Sequence, residues 1–312
     1  MGSETERRIP VINFNELKPG SDSWDLACKL VRHAMEEYGC FEIVCEEFPL
    51  ELHNSIFGAA KDLFDLPVET KNQKVSNRPG TIGYVLEPPR NPRFESTGID
   101  SPETQQGAEH FTNLMWPQGN DTFRETVQSF SKRLVEMSET VIRMVAESYG
   151  AERVFESIRE SAFYTLRFVK YRTWRSSDES EVGLLAHRDT GFITILHQHE
   201  VEGLQIKTKD GQWIDAKPSP SSFIVLAGYT LMAWSNDTCE HQVSTRENDK
   251  IRYSIGLFTY TKGEIHVPEE MVDEEHPLGY KPIDSFGFHA FLLSKEGHKS
   301  AFPMKAYCGI NN

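Results

Sequence analysis

The sequence predicts a mainly β protein with flanking α-helices, built around a jelly-roll core. From about Phe163 onward the chain breaks into short apolar and β-branched runs cut by turns, the texture of a closed or double-sheet antiparallel architecture. Ahead of these lie stretches whose apolar residues step by three and four, the period of helices that bury one face. The most chemically telling residues, His187, Asp189 and His241, fall at the edges of the predicted strands, where a jelly-roll opens a site at its mouth.

In chain order, Ile9 to Phe14 is a short apolar run containing Pro10, which suits an edge strand. Trp24, Ala27, Leu30, Val31, Ala34, Met35 and Tyr38 recur at helical spacing, with Gly39 placed as a C-terminal stop. Cys40 to Cys45 reads as a buried strand, and Leu50 to Phe64 as a second helix that Pro67 ends. Lys71 to Gly107, rich in Asn, Pro, Gly, Ser and charge, predicts a long irregular segment covering a site. Phe123 to Gly150 carries one apolar stripe, the backing for a sheet. Strands are predicted at Phe163 to Val169, Phe192 to Leu196, Gly203 to Ile206, Trp213 to Ala216, Phe223 to Ala227, His241 to Ser244 and Ile251 to Tyr260. A last helix at Ser285 to Ser294 would close over the barrel with Phe288, Phe291 and Leu292. Residues 1–120 form a helical and strand region packing on the core, and residues 121–312 the core with its C-terminal helix, the whole one structural unit.

Composition excludes several function classes. A chain of 312 residues with 38% hydrophobic residues, 19 Phe and 10 Tyr buries a substantial core, so disorder is not the reading. A net charge of -14 argues against nucleic acid or an anionic membrane as partner. The five cysteines form no Cys-x-x-Cys pair and suit reduced thiols. The N-terminus has no apolar signal region, and no run approaches the ~18 apolar residues of a membrane span. The expectation is a cytoplasmic monomer acting on a small molecule.

His187 and Asp189 are separated by one residue, so in an extended strand both point to one side while Arg188 faces away. Two imidazoles and a carboxylate are the set that holds non-haem Fe(II) with positions left open, His241 being the third ligand from a distant strand. One His-x-Asp in a chain with 11 His is weak alone. Arg252 and Ser254 follow His241 with the same two-residue spacing, and Arg clamps a carboxylate in a bidentate fork with the Ser hydroxyl as a further donor. The ordered set of five is specific. His197 and His199 share that spacing and are expected as a surface pair at a strand end, and Cys239 as a packed residue rather than a ligand.

With those residues in hand, the chain resembles the plant 2-oxoglutarate/Fe(II)-dependent dioxygenase superfamily, the isopenicillin N synthase-like proteins. The resemblance runs nearly end to end: Ile9-Pro10-Val11-Ile12, Tyr38-Gly39-Cys40-Phe41, Leu63-Phe64-Asp65-Leu66-Pro67 with Lys71, Gly203-Leu204-Gln205-Ile206, Asp210-Gly211-Gln212-Trp213-Ile214 and Ala233-Trp234-Ser235-Asn236. It implies a double-stranded β-helix, ferrous iron on His187, Asp189 and His241, and 2-oxoglutarate on Arg252, Ser254 and Tyr171. O2 is the oxidant, ascorbate an auxiliary reductant, and succinate and CO2 are products. Val169 and Lys170 depart from the family's Asn-Tyr pair, Gln242 from its usual Arg and Tyr229 from its usual Asp; none touches the five site residues. Arg167-Phe168-Val169-Lys170-Tyr171 and Ser23-Trp24-Asp25-Leu26 are similar to the branch with glucosinolate side-chain oxygenases and deoxypodophyllotoxin synthase.

For the primary substrate, Phe258 is the first candidate contact, either stacking on an aromatic substrate or filling the barrel; Tyr84, Phe111, Met115, Phe288 and Phe291 are weaker ones. Such walls suit a planar, fairly apolar plant metabolite, the outcome being hydroxylation, demethylation, desaturation or ring closure. Two rivals stay open: an oxidase using the same iron without 2-oxoglutarate, and a non-catalytic small-molecule receptor.

Overall fold

Ser21 accepts a hydrogen bond from the Trp24 amide and starts α1 (Asp22–Tyr38), and Gly39, at φ 64°, ends it by donating to the Met35 carbonyl. The computed structural model describes residues 8–15, 17–75, 83–87, 93–173, 182–235, 239–245, 250–272, 274 and 277–310. On either side of α1 lie β1 (Val11–Asn13) and β2 (Cys40–Val44), which pair in parallel. Helix α2 (Leu50–Asp65) follows and stops before Pro67, with the short α3 (Val68–Lys71) behind it.

The predicted irregular segment is a correction. Among its described residues it holds β3 (Val85–Leu86) and β4 (Phe94–Asp100), and α4 (Gln105–Met115) begins in it, capped by Thr104. Every residue of β4 from Phe94 to Ile99 is buried, so both faces are covered and no alternation marks the strand. The long α5 (Asp121–Ser148) is capped by Asn120, and α6 (Glu152–Ser161) follows. The barrel comes next: β5 (Ala162–Tyr171), β6 (Val182–His187), β7 (Ile193–Gln198), β8 (Leu204–Lys207), β9 (Trp213–Asp215), β10 (Ser222–Ala227), α7 (Tyr229–Ser235), β11 (His241–Ser244) and β12 (Arg252–Thr261). Strands β13 (Glu264–Ile265) and β14 (Ile283–Asp284) pair with each other, and α8 (Ser285–Leu293), α9 (Lys295–Lys299) and α10 (Pro303–Cys308) end the chain.

Two sheets face each other. The larger has the order β1-β2-β10-β7-β12-β5-β4-β3, the smaller β6-β11-β8-β9. The first 120 residues thus contribute four strands to the larger sheet, through β2 on β10 and β4 on β5. Alternation divides β12 cleanly: Tyr253, Ile255 and Leu257 join the core beneath α5, while Arg252, Ser254, Gly256, Phe258 and Tyr260 face the smaller sheet. Helix α5 backs this wall with Val127, Phe130, Leu134 and Val141, each inaccessible and each contributing about 1.5–3 kcal/mol by burial. Ser138 on α5 bonds to Thr259 on β12 at 2.9 Å, satisfying two hydroxyls in that core. The space between the sheets is left to β12's other face.

Candidate active site

Strands β6 and β11 pair with His241 opposite His187, which brings two imidazoles side by side, ring centroids 4.2 Å apart. Just past β6, Asp189 sets Oδ1 3.7 Å from His187 Nε2 and 3.9 Å from His241 Nε2. One ligand atom from each of the three lies within 4.8 Å of the others, and no other such group of His, Cys, Asp or Glu occurs among the described residues. Each ligand is oriented by its remaining heteroatom. His187 Nδ1 lies 2.8 Å from the Leu185 carbonyl and His241 Nδ1 3.1 Å from that of Cys239. A carbonyl only accepts, so each Nδ1 carries a proton and Nε2 is the nitrogen left to face Asp189 and a metal. Thr194 on β7 donates to Asp189 Oδ2 at 2.6 Å, leaving Oδ1 for a cation.

Electrostatics agree with that donor set. Desolvation in the barrel and the adjacent His241 ring push His187 down to about 4, so it is a neutral, ligating imidazole at physiological pH. Its side chain is still 35% exposed, against 8% for Asp189 and 7% for His241, so the open face of the triad lies on the His187 side. Behind Asp189 two loops meet at Gly191 and Gly228; a Cβ on Gly228 would stand 2.0 Å from the Gly191 carbonyl. Two imidazole nitrogens, one carboxylate oxygen and an open face fit ferrous iron.

Across the barrel, Arg252 is buried with no carboxylate beside it among the described residues. Its guanidinium donates to Gln198 Oε1 at 2.7 Å and Ser254 Oγ at 3.3 Å and lies 5.1 Å from the Tyr171 ring centre. Burial lowers its pKa and raises that of Tyr171, so the pair is a charged guanidinium against a protonated phenol. Arg252 Nε has no hydrogen-bond partner. A buried cation with an orphaned donor is costly unless an anion completes it, and the diacid 2-oxoglutarate fits that need. Gly203, at φ 151°, makes the room: a Cβ there would meet the Ser244 carbonyl at 2.6 Å and Arg252 Cδ at 3.1 Å.

The structure therefore brings together His187, Asp189, His241, Arg252, Ser254 and Tyr171, with Phe258 on the same face of β12. Phe258 is half-buried opposite Thr194 and lies over Gly256, where a Cβ would meet its ring at 3.1 Å. Other candidates lie elsewhere. Tyr84 donates to Glu95, whose carboxylate also binds Lys71, on the outer face of β4. Phe111 and Met115 pack in the main core, Phe111 stacked on Phe123. Phe288 is buried against Tyr229, Tyr307 and Met304, with Phe291 against Tyr307, so both hold the C-terminal helices together. Phe286, two residues before Phe288, meets the barrel from α8, 6.4 Å from the Tyr260 ring and 6.5 Å from Phe163, beside Ser285, which bonds to Thr261 at 3.1 Å.

His197 corrects the expected surface pair: it is inaccessible, bonded to His53 at 2.9 Å and to the Ser222 carbonyl at 3.0 Å, and stacked on Phe223. The i, i+2 spacing says that His197 and His199 share a face, not which face. Thr194, Gln198 and Arg167 were not singled out from the sequence. Their signal was polarity at alternate positions inside apolar runs, Ile193 to Gln198 and Phe163 to Val169, which marks an inward polar face.

Comparison with known proteins bears on the same residues. The family described as 2OG-Fe(II) oxygenase superfamily matches residues 164–260, and the one described as non-haem dioxygenase in morphine synthesis N-terminal matches residues 9–112. The probable 2-oxoglutarate-dependent dioxygenase AOP1.2 of Arabidopsis thaliana is 38% identical over 97% of this chain and 96% of its own length. Among solved structures, dioxygenase for auxin oxidation from rice superposes with TM-score 0.81 at 27% identity, covering 96% of this chain and 100% of that one. The Arabidopsis thaliana counterpart bound to 2-oxoglutarate gives 0.77 at 26%, covering 86% and 100%. With the triad and the unpaired guanidinium in place, the chain belongs to the 2OG-Fe(II) oxygenase superfamily and is a 2-oxoglutarate-dependent dioxygenase.

Proposed function

We propose that this dioxygenase oxidises a small, fairly apolar plant specialised metabolite held between Phe258 and the inner face of β5. The observation that carries the reading is the buried Arg252, unpaired among the described residues, on the wall opposite the His187, Asp189, His241 set. Ferrous iron, which His187, Asp189 and His241 would hold, would supply the O2 activation that ties 2-oxoglutarate decarboxylation to oxidation of a substrate C–H bond.

The chain's own residues do the rest. Thr194 fixes which oxygen of Asp189 faces the metal, and the Leu185 and Cys239 carbonyls fix both imidazole tautomers. Arg252 with Ser254 takes the far carboxylate of the co-substrate, Gln198 holds the guanidinium in line, and Tyr171 walls it from water. Phe94, Val169 and Phe258 exclude solvent on the substrate side. The similarity to the dioxygenases for auxin oxidation supports a small plant molecule as substrate. Five free cysteines, four of them buried, support a reducing compartment such as the cytosol. No described helix is long and apolar enough to cross a membrane.

The test is succinate release from iron-loaded enzyme supplied with 2-oxoglutarate and extracts of plant metabolites. Release that rises with one fraction and requires 2-oxoglutarate supports the reading. Substrate oxidation that proceeds without 2-oxoglutarate would install the oxidase alternative instead.

A further inference from the structure

Arg252 is not the sole unpaired guanidinium between the sheets. Arg167 stands on β5 on the same inward face as Tyr171 and Val169, two strand positions from the co-substrate wall. Both of its cross-strand neighbours are glycines, Gly256 on β12 and Gly98 on β4, and the space over Gly256 is taken by the Phe258 ring and Leu196. Its guanidinium donates to Ser96 Oγ at 3.1 Å and lies 5.2 Å from the Phe94 ring centre. Nothing else holds it: Nε is buried with no partner, and no carboxylate lies within ion-pair distance among the described residues. Its cross-strand partner Gly256 lies two residues from Phe258, which stands opposite the Thr194 that holds Asp189.

Several other cations packed on these sheets are paired with acids. Lys71 and Lys170 share Glu95, Lys74 pairs with Asp100, Arg172 with Glu87, and Arg188 and Lys207 share Glu240. Arg167 is partly buried, and a cation so placed without an acid carries a desolvation cost that a bound anion would offset. Arg252 has the same partnerless Nε, and the proposed reading gives it one end of 2-oxoglutarate. We infer that Arg167, with Ser96 beside it, binds a carboxylate of the primary substrate, so that the enzyme acts on an apolar organic acid rather than a neutral metabolite. The flat two-oxygen fork of a carboxylate suits a guanidinium whose Nε is buried without a partner and whose terminal nitrogen already reaches the Ser96 hydroxyl. The Phe94 ring below and Phe258 across Gly256 receive the apolar body of the acid.

This inference rests on the co-substrate assignment, and the experiment separates the two. Protein loaded anaerobically with Mn(II) and 2-oxoglutarate is titrated calorimetrically with benzoate, cinnamate and 2-naphthylacetate, each beside its primary amide, and with 2-naphthalenesulfonate. Wild type is expected to bind at least one carboxylate roughly tenfold to a hundredfold more tightly than its amide, the scale of a charged hydrogen-bond pair. Arg167→Gln abolishes that preference and Arg167→Lys keeps part of it, both with an unchanged dissociation constant for 2-oxoglutarate, which also reports that they fold. Equal binding of acid and amide by wild type, no binding of any carboxylate, or a preference that survives Arg167→Gln overturns the inference. Tighter binding of the sulfonate than of the carboxylates overturns the carboxylate assignment. Failure of wild type to bind 2-oxoglutarate at all would instead overturn the co-substrate reading.

Discussion

Thr194 and Asp189 form a 2.6 Å hydrogen bond from β7 to the loop after β6, and it ties the metal carboxylate to the larger sheet while both histidines come from the smaller one. The triad therefore depends on the spacing between sheets. Thr194→Val keeps the shape and removes the donor, so Asp189 is free to rotate. Metal affinity should fall about 10- to 100-fold, as it does when an outer partner of a ligand is lost, with the fold intact. Calorimetric titration with Mn(II) beside a circular dichroism spectrum checks this; unchanged affinity removes Thr194 from the site.

Gln198 and Gly203 act on the co-substrate through Arg252. Gln198→Leu withdraws a 2.7 Å acceptor, and Gly203→Ala sets a Cβ against Arg252 at a φ of 151° that alanine rarely adopts. Both should raise the KM for 2-oxoglutarate several-fold with Mn(II) affinity unchanged, and Gly203→Ala should also lower the Tm. Steady-state kinetics over 2-oxoglutarate concentration decide it.

Phe258→Ala opens the wall beside Arg167 and Arg252. Loss of a stacking contact, about 0.5–1.5 kcal/mol beyond area, predicts a several-fold higher KM for the primary substrate and little change for 2-oxoglutarate. An equal rise in both constants would mean that the barrel has loosened instead.

The buried His53–His197 pair predicts a pH dependence of stability. Burial pushes His197 down to about 3 and lowers His53, whereas both return to the ordinary range when unfolded. Below about pH 6.5 the unfolded chain thus binds more protons than the folded one, and stability falls with acidification by up to about 1.4 kcal/mol per pH unit per group. Urea unfolding between pH 7.5 and 5 should show the loss. His197→Gln, less stable at pH 7.5, should have a shallower slope; identical slopes would exclude His197 as its source.

How much of this was legible in sequence depends on whether the information is local. The i, i+2 pairs His187/Asp189 and Arg252/Ser254 are written in one strand each, so alternation alone places both members on one side. The helices with one-sided apolar stripes were legible for the same reason. Strand β4 was not, because Ser96, Thr97 and Gly98 are buried on both faces and read as loop residues. Thr194 and Gln198 acquire their roles only through register, Gln198 lying directly opposite Ser254 across β7 and β12. Tyr84 shows the converse: its aromatic ring was visible in sequence, but which face of β4 it covers was not.

The measurement closest to the central claim is anaerobic titration of the Fe(II)-loaded protein with 2-oxoglutarate, followed by the visible charge-transfer absorption of the chelate. Wild type should develop the band saturably, Arg252→Lys should require several-fold more 2-oxoglutarate to reach it because the charge stays and the fork is lost, and His187→Ala should not develop it. A wild-type protein that binds Fe(II) yet shows no band at any 2-oxoglutarate concentration, or an Arg252→Lys variant that titrates like wild type, would contradict the assignment of iron and co-substrate to these residues.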